Sequence, residues 1–291
     1  MPELRFGSGD PLYPPLLREI PHPPQSLYVR GAWTEDAQGK TAIAVVGTRK
    51  ATSEGRALAR KFAAAFARAG AVVVSGLAFG VDAAAHAGAL EAGGTTWAVL
   101  ATGTDEVYPR SHAQLADRIL AGGGALLSEY PHGTPAFQSQ FLARNRIVSG
   151  LSRAIVIIEA PHRSGALATA RFALDQNRDI FAVPGPAAHP NYGGSHRLIR
   201  AGATLVTSPE EVLEDLGLAT AGAALRGSES ETEEAIVHAL RTRSGGMTID
   251  ELAAAATLSA SEANQAVTML VLRGLVEEEA GQYVVGKLVN W

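Results

Sequence analysis

The chain has 291 residues, 46% hydrophobic and 19% charged, so it can bury a full core; global disorder is excluded, and a soft prior of about 100–200 residues per domain gives about two domains. Cysteine is absent, which excludes a disulfide scaffold, a thiolate zinc site and a cysteine nucleophile. A formal net charge of −4 with a pI near 6.1 argues, taken whole, against a nucleic-acid binder.

The N-terminus, Met1-Pro2-Glu3-Leu4-Arg5, lacks the basic-then-apolar shape of a signal peptide. No apolar run reaches the roughly 18 residues of a membrane helix, so a cytoplasmic location without membrane contact is expected. The first forty residues are rich in proline and read as an extended lead-in packed on the body. Thr41–Val46 is a continuous β-branched and apolar run, the mark of a strand buried on both faces. Leu58, Phe62, Phe66 and Ala69 then fall at helical spacing, and Gly70 stops that helix.

Strands follow at Ala71–Val74, Thr96–Leu100, Ala125–Ser128, Ala154–Glu159, Ile180–Val183 and Thr204–Val206. Helices alternate with them, from a cap at Asp82 to about Ala92, over about His112–Ala121, and over Gln138–Ser149, Ser164–Gln176, Ser195–Ala201 and Pro209–Leu216. This alternation predicts an α/β fold with a doubly wound, mostly parallel sheet, and places ligands in the loops at the strands' carboxyl ends.

Ala219–Thr232 is small and polar and reads as a flexible linker. Beyond it, helices are expected at Glu233–Arg241, Thr248–Ala255 and Ser259–Arg273, then a hairpin from Gly274-Leu275-Val276 and Gln282–Val285 closed by Ala280-Gly281. That is the winged-helix order. The expected domains are 1–218, a linker at 219–231, and 232–291. Charge divides at nearly the same place. Residues 229–291 carry ten acids and four bases, a net of −6, whereas nineteen acids and twenty-one bases give 1–228 a net of +2.

Four loops at the expected ligand edge carry related chemistry. Gly47-Thr48-Arg49 lacks the spaced glycines of a dinucleotide fingerprint and the Gly-Lys-Ser/Thr of a phosphate loop. It offers instead a guanidinium suited to phosphate oxygens, or to a surface carboxylate. The turn Ser75–Asp82 presents backbone N–H groups at a helix start, which suits an anion or simply tight packing. Asp82 and His86 share a helix face, but no third ligand is near in sequence, and a cap plus a local hydrogen bond accounts for both. Arg144, Asn145 and Arg146 precede a buried strand, with Arg144 expected to emerge at the crevice or to pair with Asp82 or Glu159. Arg163-Ser164-Gly165 and Gly193-Gly194-Ser195-His196-Arg197 repeat the pattern of base, hydroxyl and glycine at a helix start. No Ser in a nucleophile elbow and no paired carboxylates emerge, so no catalytic residue, metal or cofactor is expected. Phe79, Phe137 and Phe141 are candidates to stack on bases, although core packing is the ordinary job of each.

Together these motifs resemble the bacterial DNA-processing protein A (DprA/Smf) family. The matching runs are Tyr13-Pro14, Pro23-Pro24, Val46–Arg49, Ser75–Asp82 with His86, Tyr108-Pro109, Glu129-Tyr130-Pro131, Phe141–Arg146 with Ser149–Ser152, Ser164–Ala170, Val183-Pro184-Gly185 and Gly194–Ala203. The resemblance covers about residues 11–215. It implies an extended Rossmann-like domain followed by a small winged helix, and homodimers through the first domain. It further implies binding of single-stranded DNA, its protection, and loading of a RecA-type recombinase in natural transformation, with a single-strand-binding protein as a further partner. The family's phosphate-gripping arginine falls on Arg49, and its usual lysine before the Ser-Gly turn falls on Arg163. A common asparagine is replaced by His196. The helical module that many members carry ahead of the Tyr-Pro motif is expected to be absent. The residues expected to grip the strand are thus Gly47, Thr48, Arg49, Lys50, Ser75, Gly76, Phe79, Gly80, Arg144, Asn145, Arg146, Arg163, Ser164, Gly165, His196 and Arg197.

Two rival readings fit the sequence less well. A phosphoribohydrolase-like enzyme on a related fold would carry Pro-Gly-Gly-x-Gly-Thr-x-x-Glu, but Arg163–Thr169 lacks the glycine pair and the glutamate. A winged-helix transcription factor would read DNA with Ser259–Arg273, which carries no basic residue before Arg273 and stands beside the acidic Glu277-Glu278-Glu279. That composition fits a protein-docking or regulatory role better.

Overall fold

The computed structural model describes residues 3–35, 39–218, 231–243, 245–279 and 281–285. The chain forms two compact units, residues 1–215 and 216–291. The expected linker at 219–231 lies outside the described residues, apart from Glu231, which opens a helix.

The first unit is built on one nine-stranded sheet. Its strands are β1 (Glu3–Gly7), β2 (Ser26–Gly31), β3 (Ala42–Val46), β4 (Val72–Ser75), β5 (Thr96–Val99), β6 (Ala125–Ser128), β7 (Ala154–Ile157), β8 (Asp179–Ala182) and β9 (Thr204–Leu205), in the order β1-β2-β6-β5-β4-β3-β7-β8-β9. β3 through β9 run parallel; β1 and β2 are antiparallel additions at the β6 edge. β3, β4, β5, β6 and β7 are buried throughout, as their apolar runs, broken only by Ser75, Thr96 and Ser128 at strand ends, require.

The Pro-rich lead-in therefore contains two strands that its composition hid. Leu27 and Val29 of β2 point into the core, while prolines confine the chain between the strands to α1 (Pro15–Arg18). Tyr13 lies under this segment, its hydroxyl donating to the Pro24 carbonyl at 2.7 Å.

The other helices of this unit are α2 (Ser53–Arg68), α3 (Val81–Glu91), α4 (Ala113–Ala121), α5 (Gln138–Gly150), α6 (Gly165–Asp175), α7 (Gly193–Arg200) and α8 (Pro209–Asp215). α2 buries Phe62 and Phe66, edge to face at 5.9 Å. Each full burial contributes about 1.5–3 kcal/mol. α3 was expected to be capped by Asp82. The structure starts it two residues earlier, with Gly80 at φ 79° as its N-cap. A side chain there would meet the Thr48 carbonyl at 2.3 Å, so only glycine fits.

The order of strands defines where a ligand belongs. From β3 the chain steps outward through β4, β5 and β6. It then returns by α5 to place β7 on the other side of β3, and goes on to β8. Neighbours β3 and β7 thus connect in opposite directions, a topological switch point whose crevice lies at their carboxyl ends.

The second unit holds α9 (Glu231–Thr242), α10 (Ile249–Ala255), α11 (Ala260–Leu272) and an antiparallel hairpin of β10 (Val276–Glu279) and β11 (Gln282–Val285). Thr248–Glu251 and Ser259–Glu262 form capping boxes at the starts of α10 and α11. Ile236, Leu240, Leu252, Val267 and Leu270 fill its core. This is the expected winged-helix arrangement.

Candidate nucleic-acid interface

At the switch point lies a cleft of about 420 Å³. The loop after β3 supplies Gly47, Thr48 and Arg49. The turn after β4 supplies Gly76 and Ala78, the first turns of α5 supply Phe141, Arg144 and Asn145, and the turn after β7 supplies Arg163, Ser164 and Gly165. Nine of the sixteen expected residues thus meet in one place.

Buried polar contacts hold the β3 loop. Thr48 N–H donates to the Glu159 carbonyl at 2.8 Å, and Lys50 N–H donates to the Thr48 hydroxyl at 3.2 Å. Below them the fully buried Glu159 carboxylate accepts from Thr52 N–H at 3.0 Å, from the Thr52 hydroxyl at 2.5 Å, from Asn191 Nδ2 at 2.9 Å and from the Tyr192 hydroxyl at 3.4 Å. Thr52 in turn caps α2 by accepting from Gly55 N–H at 2.9 Å. A carboxylate at a helix N-terminus is favourably placed against the helix dipole. Burial and the neighbouring Glu159 charge raise the Tyr192 hydroxyl pKa above its ordinary value.

From this rigid loop Arg49 projects into solvent, its guanidinium 5.3 Å from the Phe141 ring centroid. Arg163 is also exposed, on the opposing turn. Neither forms an ion pair among the described residues. Ser164 accepts from Ala166 N–H at 3.2 Å, capping α6 so that its N-terminus opens beside Arg163.

Arg144 behaves differently from the expectation that it emerges at the crevice. It is only 4% exposed. Its Nη1 donates to the carbonyls of Gly76 (2.6 Å) and Val99, and its Nε to Asn145 at 3.3 Å. A Cβ at Gly76 would strike this guanidinium at 2.6 Å, so the glycine makes room for it. Burial pulls the Arg144 pKa down to about 10 against the nearby Asp82 charge, and the Arg49 charge adds to that pull. Arg144 is thus a floor beneath the cleft that adds positive potential rather than a grip on phosphate.

The expected anion seat at Ser75–Asp82 is already filled from within. The Asp82 carboxylate accepts from Gly76 N–H at 3.1 Å and Ala78 N–H at 3.3 Å. Burial raises its pKa, against Arg144 and these N–H groups. Ser75 is fully buried and donates to the Val45 carbonyl at 2.7 Å.

Other expected residues lie apart from the cleft. Arg146 pairs with Glu129 at 2.6 Å, which uses its charge inside the fold. The His196 Nε2 lies 3.0 Å from the Gly185 carbonyl and its ring stacks on Tyr192. Arg197 lines hollows beside α7. Lys50 is exposed at the loop tip, where its carbonyl accepts from Asn191.

The aromatic rings correct a second expectation. Phe79 is 50% exposed and Phe137 57%, so core packing is not their job. Phe79 leans edge-on against His112 at 4.8 Å, and the exposed Tyr108 against Phe141 at 5.3 Å. Tyr108 belongs to the set that sequence reasoning missed. The sequence presents it only within a Tyr-Pro pair, and its place in the loop after β5 is the available signal. Among the described residues no cluster of His, Asp and Glu could hold a metal ion.

A doubly wound α/β unit with exposed arginines and rings at its carboxyl edge, followed by a winged-helix unit, defines an extended Rossmann-like protein. Residues 6–217 match the family model for DNA recombination-mediator protein A. The chain belongs to that family.

Its relatives include Protein Smf of Escherichia coli, 45% identical over 70% of this chain and 54% of that protein. The putative DNA processing protein DprA of Mycobacterium tuberculosis is 41% identical over 91% of this chain and 70% of that protein. The chain spans about half the length of the Escherichia coli and Synechocystis relatives. Among solved structures, DprA of Streptococcus pneumoniae is 40% identical with a TM-score of 0.68, covering 73% of this chain and 74% of that one. DNA processing protein A of Helicobacter pylori, described for its unique single-stranded DNA binding mode, is 28% identical with a TM-score of 0.65, covering 74% and 95%.

Proposed function

We propose that this chain binds single-stranded DNA across the carboxyl edge of its sheet and acts as a recombination mediator. The observation that carries the reading is the pairing of exposed Arg49 and Arg163, without ion pairs among the described residues, across one cleft lined by Phe141; exposed Phe79 and Phe137 each adjoin a lining residue in sequence, and exposed Tyr108 leans on Phe141. Cations track a backbone without reading sequence, and aromatic faces accept any base, which together recognise a single strand. A duplex hides those base faces.

In this reading the protein protects incoming DNA in natural transformation and helps to load a RecA-type recombinase. It works in the cytoplasm as a homodimer, beside a single-strand-binding protein. The DNA-binding body is residues 1–218 and the docking module 232–291. Asp82 and Glu159 both spend their carboxylates inside the fold, which favours binding over hydrolysis.

The test is a salt-titrated comparison of single-stranded and duplex DNA of equal length. Single strands should bind more tightly, with a log–log slope of about −0.7 per phosphate neutralised. Equal affinity for both forms would refute the reading.

A further inference from the structure

Consecutive side chains of the turn after β7 line different clefts. Arg163 lines the one that holds Arg49. His162 lines a second hollow, of about 440 Å³, together with Gly193, Arg197 and Arg200 of α7. The His162 ring sits so close to α7 that a Cβ built at Gly193 would meet its Nε2 at 2.3 Å. The turn Pro161–Arg163 is therefore the wall between the two. His162, Arg197 and Arg200 are exposed, and neither arginine has an ion-pair partner among the described residues.

We propose that this second hollow is a phosphate site on the path of the same strand. DNA leaves the Arg49 cleft over the Pro161–Arg163 turn, and Arg197 and Arg200 neutralise the phosphates that follow. The inference rests on the single-stranded DNA reading above. Geometry favours this exit. β3, β7 and β8 are successive neighbours about 4.8 Å apart, so a strand long enough to run past the first cleft meets the second next. The rings also divide by side. Phe79 and Tyr108 stand open after β4 and β5, whereas Phe181 and Tyr192, on the β8 side, are buried. Bases stack at one end of the edge, and phosphates alone are held at the other.

The test uses the full chain with oligothymidylates of about six and about twenty nucleotides, bracketing a typical single-strand site. The double variant Arg197→Ala, Arg200→Ala should bind the longer probe at least tenfold more weakly. Its salt slope there should be shallower by about 1.4, two phosphates at about 0.7 each. Affinity for the shorter probe should change by less than about twofold, because that probe is spanned by the first cleft. The lysine pair Arg197→Lys, Arg200→Lys should restore the slope, since it keeps the charge. Arg49→Ala should weaken both probes. If the alanine pair leaves the longer probe unchanged while Arg49→Ala weakens both, the second site is overturned and the first stands. Equal loss on both probes by the alanine pair also overturns it. If Arg49→Ala alters neither probe, the first cleft fails and this continuation fails with it. Unchanged far-ultraviolet circular dichroism checks that each variant is folded, as two exposed positions on α7 predict.

Discussion

Arg49 and Arg144 stand close enough for one charge to perturb the other, yet only one of them is open to an anion. Arg49→Ala should weaken single-strand binding well beyond tenfold and leave the melting temperature unchanged, as a mobility-shift titration and a thermal melt would show. Arg144→Ala should do the reverse in emphasis, costing about 1–3 kcal/mol for each buried carbonyl, of Gly76 and Val99, left without its donor, read by urea denaturation. Phe79→Ala and Phe137→Ala should each cost about 1–3 kcal/mol of binding if a base stacks there.

His86 gives a pH signature. It is fully buried, and burial pulls its pKa down to about 3, with the Arg144 and His112 charges adding to the pull. Its folded pKa lies below the unfolded value of about 6.5. Below pH 6.5 the unfolded chain takes up a proton that the folded one refuses, so stability falls by up to about 1.4 kcal/mol per pH unit toward pH 3. Asp82, with a raised pKa, works in the opposite direction. The readout is therefore the difference between the native chain and His86→Gln, whose acid limb should be flatter in denaturation at pH 7, 6 and 5. At this scale the sequence placed Arg49 and Arg163 at strand ends, each in a loop with glycine or serine beside a helix start, and left open whether phosphate or a carboxylate faces them; the structure finds both exposed on one cleft. It did not show which arginines are buried. Arg144 meets the Gly76 and Val99 carbonyls, which lie far from it along the chain, and only the fold brings them together.

Among the elements, the junction of β3, β7 and α2 decides how stiff the cleft is. The Glu159 carboxylate joins the end of β7 to the cap of α2 and to Asn191. Glu159→Ala would leave several buried donors without an acceptor. A loss of about 3 kcal/mol of stability is expected at about 1–3 kcal/mol per unsatisfied group. Amide exchange across residues 48–56 should accelerate more than elsewhere, and single-strand affinity should fall although no DNA contact is removed. Short, almost wholly apolar runs made β3 to β7 legible in the sequence. β1 and β2 were not legible, since proline dominates the segment and only Leu27 and Val29 alternate inward. Even so, the alternation of elements implied the sheet edge on which the cleft lies.

For the molecule as a whole, the global charge concealed a division. A body of net +2 bears the exposed arginines, and the stretch from 229 onward carries −6. α11 exposes Glu262, Asn264, Gln265 and Thr268 but no base, as expected for a helix that does not enter a DNA groove. Ending the chain at about residue 225 should therefore leave single-strand affinity within about threefold, and the isolated second unit should not shift DNA at physiological salt. A large loss of affinity on truncation would place part of the binding surface beyond the first unit.

The central position of β3 also bears on how the protein is made. β3 pairs with β7, as in Ile43 with Ala154, and β2 pairs with β6, as in Tyr28 with Ser128. Each pairing joins residues about a hundred positions apart, so closing it costs chain entropy before any contact repays it. On the ribosome β3 emerges early and must wait, one flank unpaired, until β7 has been synthesised. A strand so apolar and so exposed is a template for aggregation during that interval. Slowing translation between residues 47 and 154 should therefore lower the soluble yield of this chain, whereas the same delay after residue 160 should not.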